Sequence, residues 1–287
     1  MSEIDSPAAA AMPQNFSVRV AAFYCFAHVA DPTALAARLR AFGAEHGITG
    51  SIIMASEGAN GTIAGEHANV EALFALLRVE PGFAQLAPRV HGAAVTPFSR
   101  WKVKVKAEIV TMGVPGVDAA ADAGTHVAPA DWNALIADPD TVLIDTRNGY
   151  EVAIGSFAGA LDPRTTSFSD FPAWFDAQAE QWRAEGRNPR IAMFCTGGIR
   201  CEKSTALARS RGFEEVYHLK GGILAYLAEI EAQQSLWRGE CFLFDDRVSI
   251  THGEQPGEAW ICDDCGLPVL PDVAHHCPAS ERSDERL

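Results

Sequence analysis

The residues with the most chemistry to offer form one short run, Cys195-Thr196-Gly197-Gly198-Ile199-Arg200. An apolar strand-like stretch, Arg190–Phe194, leads into the cysteine, and a helical pattern begins beyond the glycines. A cysteine at such a junction lies where several backbone N–H groups converge and where a helix N-terminus adds positive potential. Both effects favour thiolate over thiol, and the thiolate is the nucleophile. Gly197 and Gly198 permit the backbone angles that a tight cradle needs, and Arg200 brings a cation nearby. The other reading is a buried structural cysteine, a common state of free cysteines. That reading leaves the Gly-Gly loop and the arginine five positions on without a purpose. Cys201 carries two readings: a resolving thiol that pairs with Cys195, or a residue packed at the helix start, which the strict geometry of a disulfide favours.

A second group is Cys262-x2-Cys265 followed by His275, His276 and Cys277. Cys262, Cys265, His275 and Cys277 are a possible zinc set of three sulfurs and one nitrogen. With only one Cys-x-x-Cys pair present, an acidic, proline-containing tail fits the same stretch, and no cofactor is required by the sequence. A third group is Arg100-Trp101-Lys102-Val103-Lys104-Val105-Lys106. On a strand, Arg100, Lys102, Lys104 and Lys106 share one face, and Trp101, Val103 and Val105 share the other. Four cations on one face suit a phosphate backbone; they also suit a plain solvated sheet face.

These groups need elements to hold them. After residues 1–16, which read as a disordered tail, Val18–Phe26 is rich in strand formers. Asp31-Pro32 reads as an N-cap with proline at the first helical position, and Leu35, Leu39 and Phe42 give one helical face. Gly47 is the stop. Residues 50–55 read as a strand, and Asn60-Gly61 reads as a tight turn before a further strand at 62–64. A second helix spans 67–77. This order predicts a ferredoxin-like α/β sandwich over 17–118. A Gly-, Ala- and Asp-rich stretch at 113–124 reads as a linker. Over 125–238, strands at 142–145, 190–194 and 216–219 alternate with helices at 130–137, 171–185, 201–211 and 223–233. That rhythm predicts a parallel sheet covered on both faces, with ligands at the carboxyl ends of its strands. Residues 239–287 form a short C-terminal extension.

With 287 residues and 48% hydrophobic content, the chain suits about two globular domains. Seven cysteines, an odd number, without a basic-then-apolar leader argue for a reducing compartment, the cytoplasm, and against a disulfide framework. No run of 18 apolar residues is present, so no membrane span is expected. The net charge of −14 opposes nucleic-acid binding in general. Its distribution matters more. Residues 1–124 carry 9 basic and 11 acidic side chains, residues 125–238 carry 11 and 15, and residues 239–287 carry 3 and 11. The excess sits mainly in the last segment, which leaves room for a basic surface elsewhere.

The Cys-x4-Arg loop between strand and helix resembles the active loop of rhodaneses and is one residue shorter than the phosphate-sized loop of the related phosphatases. Val142-Leu143-Ile144-Asp145-Thr146-Arg147 with Glu151, the Gly155–Ala160 segment and Leu219-Lys220-Gly221-Gly222-Ile223 agree with that family. Asp145 and Arg147 read as scaffold that fixes a loop by paired hydrogen bonds. Ser156 departs from the pattern, standing where rhodaneses usually have histidine. Residues 56–63, 98–104, 194–204 and 239–248 together resemble the oxygen-dependent tRNA uridine hydroxylases, over about residues 18–266. The resemblance implies conversion of the wobble uridine to 5-hydroxyuridine with molecular oxygen as co-substrate. It implies Cys195 as the active-site cysteine, usually described as a persulfide carrier. It also implies a tRNA anticodon region as partner, with no DNA and no membrane, and adds Lys203 to the candidate tRNA-binding cations.

Spacing alone shows a reactive thiolate and no oxygen chemistry. One mechanism has Cys195 add to C6 of uracil, which enriches C5 for reaction with oxygen, while Arg200 and the loop amides stabilise the enolate oxygen. A competing function is sulfur transfer by a Cys195 persulfide, which leaves the N-terminal domain unexplained. A non-catalytic binding module is opposed by the intact cysteine loop.

Overall fold

A computed structural model of the chain describes residues 17–245, 247–271, 273–275 and 277. The tail expected at 1–16 and His276 lie outside them. The chain divides into two compact units at Ile109 and Val110.

The first unit holds β1 (Val18–Phe26), α1 (Pro32–Glu45), β2 (Thr49–Ala55), β3 (Gly58–Gly65), α2 (His67–Arg78), β4 (Arg89–Ala93) and β5 (Trp101–Val105). Asp31 caps α1 by accepting from the Ala34 N–H at 2.8 Å, and Pro32 opens it. Gly47, at φ +66°, turns the chain out of α1 towards β2. The sheet order is β4-β1-β3-β2-β5. The first four strands are antiparallel, as in a ferredoxin-like sandwich, and β5 extends the sheet in parallel beside β2. Leu35 and Leu39 of α1, and Val70, Leu73, Phe74 and Leu77 of α2, pack on Ala21, Ile52, Met54 and Ile63 of the sheet. Asn60-Gly61 is not a turn. Both residues lie inside β3, where Gly61 stands between Phe23 and Ile52 of the neighbouring strands. A Cβ there would come within 2.6 Å of the Ser51 carbonyl. The glycine serves close strand approach, and the chain reverses earlier, at Ser56-Glu57.

The second unit begins sooner than the linker expectation allowed. Met112 is buried, and Val110, Val114 and Val117 pack with it against this unit's core. The apolar residues within the Gly- and Ala-rich stretch decide its fate. The elements are α3 (Ala119–Asp122), β6 (Thr125–Val127), α4 (Pro129–Ala137), β7 (Thr141–Asp145), α5 (Gly149–Val152), β8 (Gly155–Phe157), α6 (Phe171–Ala184), β9 (Arg190–Phe194), α7 (Ile199–Ser210), β10 (Val216–Leu219) and α8 (Gly222–Glu229). The sheet order is β6-β10-β9-β7, parallel throughout. Alternation along β9 splits the core in two. Ile191, Met193 and Cys195 pack with Phe171 and Phe175 of α6 and Leu207 of α7. Ala192 and Phe194 pack with Trp132 of α4 and Tyr226 of α8. Helix α8 stops at Glu229, short of the expected 233.

The last strands are short: β11 (Trp237–Gly239), β12 (Cys241–Phe242), β13 (Ser249–Ile250), β14 (Trp260–Ile261) and β15 (Pro268–Val269). β11 pairs with β8, and Trp237, Cys241, Leu243 and Ile250 enter the α4/α8 side of the core. No helix among the described residues is long and apolar enough to cross a membrane.

Candidate functional site

Cys195 follows the last residue of β9, which is paired with Asp145 at the end of β7. Its side chain is 1% exposed. Gly198, at φ +101°, is the N-cap of α7, a conformation that favours glycine. Its N–H donates to Cys195 Sγ at 3.1 Å. The first turn of α7 brings the Arg200 N–H and the Cys201 thiol to bear on the same sulfur, while the Cys201 N–H donates to the Gly198 carbonyl at 3.0 Å. Burial pushes the Cys195 thiol up. The Cys201 thiol, the Arg200 charge and the backbone donors outweigh it and bring the pKa from 9.0 down to about 6. Cys201, fully buried beside that anion, is held well above its ordinary value, first by burial and then by Cys195. It also lies 3.7 Å from Thr146 Oγ1. The structure therefore gives Cys201 a third role, hydrogen-bond donor to the thiolate, beyond the two read from sequence.

A second strand-to-helix turn closes the loop from behind. The N–H groups of Ile223 and Leu224 donate to the carbonyls of Cys195 and Thr196 at 3.0 and 3.1 Å. A Cβ on Gly222 would lie 2.4 Å from the Thr196 carbonyl, so only glycine allows this approach. In front, Gly197 is half-buried, and a Cβ there would meet nothing within 4 Å. Thr196 and Ile199 are likewise half-buried.

Arg200 is not a free cation. Its Nη1 and Nη2 donate to Glu151 Oε2 and Oε1 at 2.6 and 2.8 Å, a bidentate pair in which the glutamate is fully buried. Burial opposes the Glu151 charge, but Arg200, with smaller help from Arg147 and the Asn148 N–H, holds its pKa below the ordinary value. Glu151 also accepts from the Asn148 N–H at 3.1 Å, completing a capping box on α5. Arg147 is fixed in the same way. It donates to both oxygens of Asp145 at 2.9 and 2.6 Å, to the Gly155 carbonyl at 2.6 Å, and lies 5.1 Å from the Trp237 ring. Ser156, which replaces the usual histidine, donates to Asp145 Oδ2 at 2.8 Å.

Of the candidate cations, Arg100, Lys102, Lys104 and Lys106 are all exposed on β5 and beyond its end. Trp101 and Val103 face the other way. The Trp101 indole rests over Gly43 of α1, where a Cβ would intrude within 2.3 Å, and its Nε1 donates to the Arg40 carbonyl. Val105, read as the third apolar member, is 42% exposed. Lys203 departs from its expected place. It is 2% exposed and its Nζ donates to the Val110 carbonyl at 3.1 Å. Helix α7 is buried almost all round, from Arg200 to Ala208, so its polar residues serve internal contacts. Glu202 accepts from, or shares a proton with, His126 Nε2 at 2.9 Å, close to buried His218. Sequence reading missed this trio, since residues 126, 202 and 218 are joined only by the pairing of β6 with β10 and the packing of α7. The donor atoms of Cys262, Cys265, His275 and Cys277, the possible set read from the sequence, lie within 4.8 Å of one another.

Comparison with known proteins agrees with this architecture. Residues 18–109 match the model of the UPF0176 acylphosphatase-like domain, and residues 128–229 match that of the rhodanese-like domain. A tRNA uridine(34) hydroxylase of Caulobacter vibrioides is 53% identical, covering 89% of this chain and 82% of that protein. One from Gluconobacter oxydans is 53% identical over 88% and 80%, and one from Rhizobium etli is 52% identical over 93% and 89%. Identity of this order over most of both chains leaves one assignment: the chain belongs to the tRNA uridine(34) hydroxylase family.

Proposed function

We propose that this protein is an oxidoreductase that hydroxylates uridine 34 of tRNA, the wobble base, at C5 with molecular oxygen, and that the Cys195 thiolate is its catalytic nucleophile. The observation that carries the reading is a buried sulfur at the start of α7 that accepts from the Gly198 N–H at 3.1 Å and whose pKa is drawn down to about 6, in a chain about half identical to named hydroxylases. The thiolate adds to C6 of uracil and breaks the C5–C6 double bond. The electron pair moves through C5 onto the C4 oxygen, and this enolate carries nucleophilic character at C5 towards oxygen. One oxygen atom stays on C5. The other leaves as water, which takes two electrons and two protons from an external reductant. The C5 proton is lost, the C6–S bond breaks, and the thiolate returns. Glu151 neutralises Arg200, so the guanidinium brings the enolate little net positive charge. The wobble base sits in a single-stranded loop, so its extrusion into a pocket costs little. Arg100, Lys102, Lys104 and Lys106 supply a basic strip for the anticodon arm. On this reading the enzyme works in the cytoplasm, where its tRNA substrate is met.

One observation favours a second reading. Cys195 is almost fully covered, and a persulfide would place its terminal sulfur one bond, about 2 Å, further towards the open side of Gly197. Sulfur carriage by Cys195 is therefore the alternative.

The test is nucleoside mass spectrometry of tRNA incubated with enzyme and reductant under 18O-labelled oxygen. Uridine 34 should gain one labelled oxygen, and the gain should vanish without oxygen and with Cys195→Ala. A 5-fluorouridine anticodon stem-loop should form an adduct at Cys195. No oxygen gain, joined to thiosulfate-to-cyanide turnover, overturns the hydroxylase reading in favour of sulfur transfer.

A further inference from the structure

Among the described residues after Ala259, Pro268 and Val269 are buried and Leu270 packs with Ile154, Phe242 and Ala259. Strands β14 and β15 are two residues each, and Trp260 and Ile261 are 47% and 39% exposed. With one strand exposed, a two-stranded ribbon of this size is marginal in water on its own. Yet the backbone between the strands is tightly specified. The Cys262 N–H donates to the Leu267 carbonyl at 2.9 Å, and the Gly266 N–H donates to the Cys262 carbonyl at 2.8 Å. Gly266 has φ +72°. The N–H groups of Asp264 and Cys265 turn inward to the Cys262 sulfur. A loop that presents two cysteines on one side and aims amides at their sulfurs has the form of a metal knuckle.

The other two groups complete the set. Cys265 Sγ lies 3.3 Å from His275 Nε2, and Cys262 Sγ lies 4.0 Å from Cys277 Sγ. All four donor atoms lie within 4.8 Å of one another. A tetrahedral zinc ion with bonds of about 2.3 Å to sulfur and about 2.0 Å to nitrogen requires edges of about 3.8 Å between sulfurs and about 3.5 Å from sulfur to nitrogen. The observed separations straddle these values. They do not suit disulfides, since a sulfur–sulfur bond is about 2.05 Å.

We propose that Cys262, Cys265, His275 and Cys277 bind one structural zinc ion. All four positions are protein ligands, which leaves no open site for substrate or water and makes the ion a clasp, not a catalyst. Three sulfurs with one imidazole select zinc over the hard cations, which prefer oxygen. Binding releases the three thiol protons, and the Zn(Cys)3(His) unit carries a single negative charge. The asparagine-free, acidic loop, with Asp263 and Asp264 between the first two cysteines, adds local negative potential that draws in a dication. The ion ties Cys262 and Cys265 of the β14–β15 turn to His275 and Cys277.

The experiment uses the full-length protein, purified without a histidine tag under reducing conditions, with metal measured by inductively coupled plasma mass spectrometry. The expected result is about one zinc per chain in the wild type and in Cys195→Ala, and a severalfold loss of zinc in Cys265→Ser and Cys277→Ser. Should those variants fold poorly, cobalt added to chelator-stripped wild type provides the second readout. Intense tetrahedral ligand-field bands with a thiolate-to-cobalt charge-transfer band support the site. No zinc in protein from zinc-supplemented cells, together with no such cobalt spectrum, overturns it. Zinc retained at wild-type level in both serine variants overturns it too, as does a Cys262–Cys277 disulfide in the freshly purified protein.

Discussion

Removing the Cys201 thiol separates the donor role from the alternatives. Cys201 is fully buried, and its thiol is the largest of the influences that lower the Cys195 pKa. A hydrogen bond to a charged acceptor is worth about 1.5–3 kcal/mol, and one pKa unit is about 1.4 kcal/mol. The thiol is a weak donor, so the lower end applies and Cys201→Ala should raise Cys195 by about one unit. From a start near 6, the thiolate fraction at pH 6 falls from about a half to about a tenth. The higher pKa also makes each thiolate about threefold more nucleophilic at a Brønsted coefficient near 0.45, so alkylation by iodoacetamide at pH 6 should slow only about twofold. At pH 9, where both proteins are ionised, the alanine variant should instead react about threefold faster. Cys201→Ser keeps a donor in place and should leave the titration near its wild-type midpoint. With seven cysteines in the chain, the rate must be followed on the Cys195 peptide by mass spectrometry. If the alanine variant titrates like the wild type, or if alanine and serine shift the midpoint equally, the thiol donor is not what sets the pKa. A resolving thiol would instead reveal itself as a Cys195–Cys201 disulfide after mild oxidation.

Two further outcomes follow from the same geometry. Glu151→Gln leaves the buried Arg200 without its counter-charge, and loss of one partner from such a pair costs about 3–5 kcal/mol. Urea denaturation should show a loss of that order, and a change below about 1 kcal/mol would mean that Arg200 finds water or another partner. The same variant should lower the Cys195 pKa further, because the arginine charge is no longer offset. For the basic strip, changing Lys102, Lys104 and Lys106 together to Gln should weaken tRNA binding and flatten its dependence on salt, by about 0.7 in the log–log slope per lost phosphate contact. An unchanged slope would show that the strip faces solvent and nothing more.

What the sequence disclosed depended on whether the partners were neighbours in the chain. The Cys195 cradle is contiguous, so the cysteine, the glycines and the helix start could be read together. Glu151 is 49 residues from Arg200, and only the pairing of β7 with β9 brings their segments together. The sequence reading had Arg200 as a free cation for that reason. Lys203 came with the resemblance, and nothing local corrects its place, because a helix buried almost all round by polar and small residues has no periodicity to read. Asn60-Gly61 shows the converse error. The dipeptide carries a turn signal, yet Gly61 is needed where two strands crowd a third, and tertiary packing overrode local preference. The zinc ligands were legible as residue types, but their convergence rests on the turn at Gly266, which spacing alone does not reveal.

The charges around Cys195 bear on what the sulfur is for. Arg200 is paired with Glu151 and Arg147 with Asp145, so the thiolate is held chiefly by dipoles aimed at it. Lowering the pKa from 9.0 to about 6 raises the thiolate fraction at pH 7 by about ninetyfold. The same shift makes each thiolate intrinsically less nucleophilic, by about twentyfold at a Brønsted coefficient near 0.45. The net gain in attack is only about fourfold, too small to justify a cradle of several donors around one buried atom. The larger gain lies in departure, since a sulfur of low pKa leaves its bond faster. Both proposed chemistries need that departure, from C6 of the oxidised base in one case and from the transferred sulfur in the other. The cradle is thus built for a sulfur that must let go. Release of the 5-fluorouridine adduct, measured after trapping, should therefore slow in Cys201→Ala even at pH 9, where both sulfurs are ionised and attack by the variant is, if anything, faster. Equal release rates would show that the cradle serves ionisation alone.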